Sequence, residues 1–230
     1  MNDFIKNIDN SKKQIINEIK LGDENLFFIK NVLSQNDFAT LRKIIHDILK
    51  SKTHDNERIR YFHTSIGNEH PYFVPHWSYY VTDIPFFNKH IMSYIKNLSP
   101  VFKNAECKRI YISFQSTGEM GNWHYDERDA DNTYTFTLYC NMKRRASILN
   151  NTYEKIMEKS KDIGINNNDD DECGYFSIKC NNQPIIFLRT NDNTAALFKS
   201  TALHIGHDVK YNSTNLRCVI SYKLIVLNDL

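Results

Sequence analysis

The chain has 230 residues, 41% hydrophobic and 24% charged, ordinary values for a soluble globular protein with enough length for one sizeable core. A formal net charge of +2, with basic residues scattered apart from Lys143-Arg144-Arg145, gives no electrostatic case for a nucleic-acid or membrane partner. The five cysteines (Cys107, Cys140, Cys173, Cys180, Cys218) lack CxxC spacing, which argues against a zinc knot or disulfide framework and for reduced thiols. No window approaches the roughly 18 uninterrupted apolar residues of a membrane span. The polar start MNDFIKNIDN lacks a signal-peptide core, so a cytoplasmic location is expected.

Phe4, Ile5, Ile8, Ile15, Ile16 and Ile19 recur at roughly helical spacing and predict a first helix over residues 3–20. NLFFIKNV (25–32) reads as a strand. The helix after it has Ser34 as N-cap and Phe38, Leu41, Ile44, Ile45 and Ile48 as its apolar face. Residues 56–82, rich in aromatics, His and Pro, suggest short strands and loops, and a further helix is expected from about Phe86 to Leu98.

From KRIYISFQS (108–116) onward the texture is β. TYTFTLYCN (133–141) alternates, with Thr133, Thr135, Thr137 and Tyr139 on one face and Tyr134, Phe136, Leu138 and Cys140 on the other. Strands GYFSIKC, QPIIFLRT, TAALFKS, ALHIGHDV and LRCVISYKLIVL follow, separated by turn-rich segments. Residues 142–173 interrupt the series as an insertion, with a short helix near 152–161 and the acidic INNNDDDEC. Helices first and about eight strands after them predict an α+β chain whose β part is a sandwich or barrel.

GNWHYDERD holds His124 and Asp126, the sole His-x-Asp of the chain. Nine histidines and 27 acidic residues in 230 positions make about one His-x-Asp or His-x-Glu by chance, so the pair alone decides nothing. In a strand, residues i and i+2 project from one face, and a histidine from a distant strand would complete a two-histidine, one-carboxylate set of the kind that holds iron(II) with open positions. His204 and His207 in TALHIGHD both offer that third donor. In LRCVISYKL the alternation puts Arg217, Val219 and Ser221 on one face, and an arginine inside an apolar strand is costly without a partner. A planar guanidinium binds a carboxylate through two parallel hydrogen bonds, and Tyr139 is a natural second donor to it.

In this order (WHYDE, FTLYCN, GYFSI, AALFKSTALHIGHDV, LRCVISYKL, after an opening FFIKNVLSQNDFATL) the chain resembles the iron(II)/2-oxoglutarate-dependent oxygenases, specifically the prolyl 4-hydroxylase-like branch. The resemblance covers most of the chain. It implies a double-stranded β-helix (jelly-roll, cupin-like) core with supporting N-terminal helices. A single catalytic domain of 1–230 follows, with 1–105 as support and 106–230 as the β-helix carrying the insertion. His124, Asp126 and His204 would bind iron; Arg217 would bind the far carboxylate of 2-oxoglutarate, with Tyr139 assisting and Ser221 a weaker candidate. The family usually places its arginine or lysine about nine or ten residues after the distal histidine, which suits His207 better. The run from Phe198 through KSTALH suits His204, and His204 is preferred because loop length is cheap to vary.

The implied activity is hydroxylation of a C–H bond, on a prolyl or lysyl residue of a protein, coupled to decarboxylation of 2-oxoglutarate to succinate. Iron(II), 2-oxoglutarate and O2 would be required, with ascorbate a candidate accessory, and a protein, peptide or small molecule would be the substrate. Tyr61, Tyr72, Phe73, Trp77, Tyr79 and Tyr80 are candidates to line its approach, and Lys143-Arg144-Arg145 with the insertion a candidate lid. Two competing readings are a cupin-like metalloenzyme using zinc, iron or manganese without 2-oxoglutarate, which has no use for Arg217, and a non-catalytic jelly-roll binding protein.

Overall fold

The computed structural model describes residues 14–21, 24–50, 59–61, 76–115, 121, 123–127, 132–143, 174–179, 185–207 and 215–227. Its first segment departs from the helix expected over 3–20. Ile15–Leu21 is a strand (β1), paired antiparallel with β2 (Glu24–Lys30) so that Leu21 lies opposite Glu24. The spacing of Ile15, Ile16 and Ile19 suits a helix. Their β-branching and the Gly22-Asp23 dipeptide between the paired ends suit a hairpin, and the available neighbouring strand decides in its favour. Residues 3–13 of the expected helix lie outside the described residues.

Helix α1 (Gln35–Lys50) begins where expected. The Ser34 hydroxyl accepts from the Asp37 backbone N–H (3.1 Å) and donates to its carboxylate (2.8 Å), a reciprocal cap. Its apolar face buries Leu41 and Ile45 completely, with Phe38, Ile44 and Ile48 packed beside them. Two short strands follow, β3 (Ile59–Tyr61) and β4 (His76–Tyr80). The helix expected near Phe86–Leu98 opens as a widened π-helical turn, Phe86–Ile91, and continues as α2 (Met92–Asn97). The Tyr222 hydroxyl donates to the Phe87 carbonyl in that turn (3.2 Å).

The remaining strands are β5 (Ala105–Gln115), β6 (Thr133–Tyr139), β7 (Met142–Lys143), β8 (Tyr175–Lys179), β9 (Ile186–Arg189), β10 (Thr194–Lys199), β11 (Leu203–Gly206) and β12 (Asn215–Val226). Of the expected insertion 142–173, Met142–Lys143 pairs with the start of β12, and the expected helix near 152–161 lies outside the described residues.

All the pairings among the described residues are antiparallel. The larger sheet runs β1-β2-β10-β6-β12-β5-β4-β3, with β7 beside β12, and a smaller one runs β11-β8-β9. The N-terminal strands therefore form both edges of the larger sheet, β1 and β2 at one and β4 and β3 at the other, where the sequence suggested helices before strands.

The central strands of the larger sheet, β10, β6 and β12, are buried on both faces, one against the helix-side core and the other against the smaller sheet. On β2, Phe27 and Ile29 face the core shared with α1 and α2, while Leu26 and Phe28 face the smaller sheet. Phe136, Leu138, Cys140, Cys218, Ile220 and Tyr222 belong to the helix-side core, as the 133–141 alternation predicted. Phe176, Ile178, Leu188, Phe198 and Val219 fill the space between the sheets. Each such side chain, fully buried, contributes about 1.5–3 kcal/mol. Cys107, Cys140 and Cys218 are free thiols, the last two buried, with the Cys140 N–H donating to the Cys218 carbonyl (2.9 Å). Among the described residues, no helix is long and apolar enough to cross a membrane.

Candidate metal centre

The expected His-x-Asp strand does not form. His124 makes a single antiparallel bridge to His204, with both backbone hydrogen bonds at 3.0 Å, and Asp126 sits in a bend. The ladder stops there because the Asp126 and Glu127 N–H groups both turn to the Ser200 carbonyl (3.0 and 3.2 Å). Tyr125, expected to pack on the opposite face, is instead 44% exposed.

The side chains converge nonetheless. His124 Nε2 is 3.7 Å from Asp126 Oδ1, and His204 Nε2 is 3.5 Å from Asp126 Oδ2. The donor atoms of all three lie within 4.8 Å of one another, close enough for one ion to reach them with small side-chain rotations. Two imidazoles and one carboxylate are a donor set suited to a divalent first-row metal with positions left open. The Asp126 and His204 side chains are buried and that of His124 is 29% exposed, so the centre opens to solvent on the His124 side.

The surroundings hold the donors in binding-ready states. The His204 Nδ1 lies 2.9 Å from the Ala202 carbonyl, which places the proton there and turns Nε2 toward Asp126 as an acceptor. Burial lowers the His204 pKa to about 4 against the pull of Asp126, leaving a neutral imidazole near pH 7. Burial alone would raise Asp126. The Lys223 ammonium, then His204 and His124, outweigh it and hold the carboxyl well below its usual range.

The two candidate distal histidines separate by place. His204 faces Asp126, whereas His207 Nε2 lies 2.6 Å from the Ser177 hydroxyl on β8. Arg217, 2% exposed, donates through Nη1 to the His207 carbonyl (2.6 Å), and its guanidinium carbon sits 5.4 Å from the Tyr139 ring centre. Tyr139 is fully buried, with its hydroxyl 3.3 Å from Thr137 Oγ1. Ser221 is buried on the same face, opposite Thr137. Gly206 brings its backbone against the guanidinium: a Cβ there would stand 3.3 Å from both terminal nitrogens. Gly206 and His204, two residues apart on β11, share a face, so the arginine lies roughly 7 Å along the strand from the histidine. A five-carbon dicarboxylate spans such a gap, and a buried guanidinium beside a tyrosine hydroxyl fits its far end.

Sequence reading missed Lys223. Its side chain is 4% exposed, forms a close ion pair with Asp126 Oδ2 and donates to Thr135 Oγ1 (3.2 Å). Thr135 donates to the same Asp126 oxygen (2.6 Å) and lies 3.0 Å from the Ser200 hydroxyl. The signal was available: the alternation that groups Arg217, Val219 and Ser221 reaches Lys223 at its next step. Of the aromatics expected to line an approach, Tyr79 packs partly buried against the helix-side core and Tyr80 is exposed. The Tyr72, Phe73, Arg144 and Arg145 positions, and the side chains of Tyr61, Trp77 and Lys143, lie outside what is described.

No family model matches the sequence, and no curated protein does. Solved structures do match. A prolyl hydroxylase from Trichoplax adhaerens, in complex with a hypoxia inducible factor oxygen degradation domain peptide fragment, superposes at TM-score 0.53 and 12% identity, covering 87% of this chain and 83% of that one. A Pseudomonas putida prolyl-4-hydroxylase gives 0.53 at 8% identity, over 90% and 95%. The chain shares the fold of these hydroxylases and of a 2OG-Fe(II) oxygenase family protein from Burkholderia pseudomallei (0.53, 10%, 86% and 83%). The same fold is found in the epimerase SnoN, in complex with Fe3+, alpha ketoglutarate and nogalamycin RO (0.57, 8%, 87% and 78%). It is found again in EvdMO1 (0.54, 10%, 86%), of whose length this chain spans 47%.

Proposed function

We propose that the chain is an iron(II)- and 2-oxoglutarate-dependent dioxygenase. In this reading it is a single catalytic domain, its facing sheets form a double-stranded β-helix, and it hydroxylates a C–H bond of a prolyl or lysyl residue in a protein or peptide. The observation that carries the reading is the pairing of a His124–Asp126–His204 cluster with a buried guanidinium that packs against Gly206, two residues beyond His204 on β11. The prolyl hydroxylases among the structures that share its fold support the substrate class. Iron(II) with 2-oxoglutarate and O2 supplies the oxidising chemistry when bound, yielding succinate and CO2 alongside the hydroxylated product.

The protein's own contribution is positional. His124, Asp126 and His204 would hold the metal through two imidazole nitrogens and one carboxylate. Arg217 and Tyr139 fix the far carboxylate of the co-substrate, with Ser221 beside it, so its keto-acid end is aimed at the metal. The packed interior between the sheets keeps bulk water from the Tyr139 and Arg217 end, and access is from the side of the partly exposed His124.

Anaerobic titration with iron(II) and 2-oxoglutarate tests the assignment. The complex should show a weak visible metal-to-ligand charge-transfer band that Arg217→Met loses, and aerobic turnover with proline- or lysine-containing peptides should release succinate. Activity independent of added 2-oxoglutarate would favour a cupin-like metalloenzyme instead. Failure to bind iron(II) would favour a non-catalytic jelly-roll.

A further inference from the structure

A buried lysine bonded to a candidate metal ligand calls for an explanation beyond folding. Asp126 and Lys223 form a desolvated ion pair, their side chains 7% and 4% exposed. Such a pair is a weak source of stability relative to apolar replacements, so its presence inside a site points toward function. Both Lys223 and Thr135 bind Asp126 Oδ2, which leaves Oδ1, on the His124 side, as the freer oxygen. Tyr111 flanks the ammonium, its ring centre 5.8 Å from Nζ.

The charge count is what matters. Asp126 and Lys223 cancel, so a divalent metal would enter beside a neutral pair in place of a lone carboxylate. The bound ion then stands a few ångströms from a fixed ammonium in a poorly solvated pocket. A dianionic ligand such as 2-oxoglutarate reduces that excess: its far carboxylate would meet Arg217, and its keto-acid carboxylate would set one negative charge beside the metal.

Resting on the iron/2-oxoglutarate reading above, we infer that Lys223 ties metal retention to the co-substrate: the fixed cation beside Asp126 keeps the affinity for metal alone low, and a bound dicarboxylate restores it. The coupling is reciprocal, so the metal strengthens dicarboxylate binding by the same factor. Unit charges a few ångströms apart near a protein interior interact strongly enough that removing the ammonium should tighten metal-only binding on the order of ten- to a hundredfold.

The test is calorimetric titration of the full chain with Mn2+ at neutral pH, with and without saturating 2-oxoglutarate, in wild type, Lys223→Met and Lys223→Gln. Glutamine still donates to Asp126 and Thr135, so it serves even where methionine fails to fold. Both neutral variants should bind Mn2+ alone at least about tenfold more tightly than wild type, and the gain from adding 2-oxoglutarate should shrink correspondingly. A lysine that only orients Asp126 predicts otherwise: glutamine would match wild type and methionine would weaken binding, and that result overturns the inference. Unchanged coupling in both variants overturns it too, while leaving the metal site standing. No Mn2+ binding by wild type, with or without 2-oxoglutarate, removes the metal-site reading itself.

Discussion

Alanine at Gly206 isolates the arginine from the metal cluster. Gly206 lies in β11 and has no positive φ, so alanine meets no backbone penalty and the whole effect comes from the added methyl. That methyl would sit 3.3 Å from Arg217 Nη1 and Nη2, closer than the ordinary contact distance of about 3.5–4.0 Å, and 3.6 Å from the guanidinium carbon. The guanidinium must retreat by a few tenths of an ångström. It is held by its bond to the His207 carbonyl, so the retreat strains that bond or tilts the plane that meets a carboxylate. Overpacking of this kind costs about 1–3 kcal/mol. If most of it falls on the bound state, 2-oxoglutarate affinity drops by roughly five- to a hundredfold at about 1.4 kcal/mol per decade. The assay is paired titration of Gly206→Ala, Mn2+ alone and then 2-oxoglutarate in saturating Mn2+. Mn2+ affinity should match wild type. Unchanged 2-oxoglutarate binding would show that the guanidinium does not touch the co-substrate, and an equal loss of both would show that the methyl displaces His204 instead.

Three further outcomes are expected. His204→Ala should abolish Mn2+ binding, and His207→Ala should keep it, because only the former imidazole faces Asp126; equilibrium dialysis decides, and the reverse pattern would exchange their roles. Arg217→Lys should weaken 2-oxoglutarate by about 1.5–3 kcal/mol in calorimetry with Mn2+ affinity unaltered, since an ammonium cannot reproduce the two parallel hydrogen bonds. Burial pushes the Cys140 thiol up to about 12 from 9.0, so its contribution to stability is complete below pH 9 and is lost as the pH rises toward 12. In urea unfolding at pH 8.5 and 10.5, wild type should therefore lose about 1–2 kcal/mol more than Cys140→Ala, and an equal loss would contradict the burial.

Legibility in the sequence followed the number of independent cues at each place. β6 and β12 were readable because strict alternation, β-branching and turn-rich flanks agreed, and the helix-side core of Phe136, Leu138 and Ile220 follows from alternation alone. α1 was readable from an apolar stripe and a capping serine. β1 was misread because Ile15, Ile16 and Ile19 satisfy a helical template, and only tertiary pairing with β2 chooses between the templates. The His124 segment was misread as a strand because periodicity cannot show that the ladder ends after one bridge. Yet His124 and Asp126 still meet His204, because the bend at Asp126 turns its carboxylate inward where strand geometry was expected to. Lys223 escaped notice because lysines are ordinarily exposed, and its burial depends on Asp126, roughly a hundred positions earlier in the chain.

The pairing of β2 with β10 bears on how the protein can be cut. Residues Thr194–Leu197 are sealed along one side by Phe27–Lys30, and β10 is otherwise a short apolar strand, TAALFK, whose lone charge is at its end. A fragment begun after Lys30 would keep His124, Asp126, His204, Arg217 and Lys223, yet it would present that strand as a bare edge with its N–H and C=O groups open to any extended chain. Loss of solubility through edge-to-edge association, ahead of any loss of ligand affinity, is the expected fate of such a truncation.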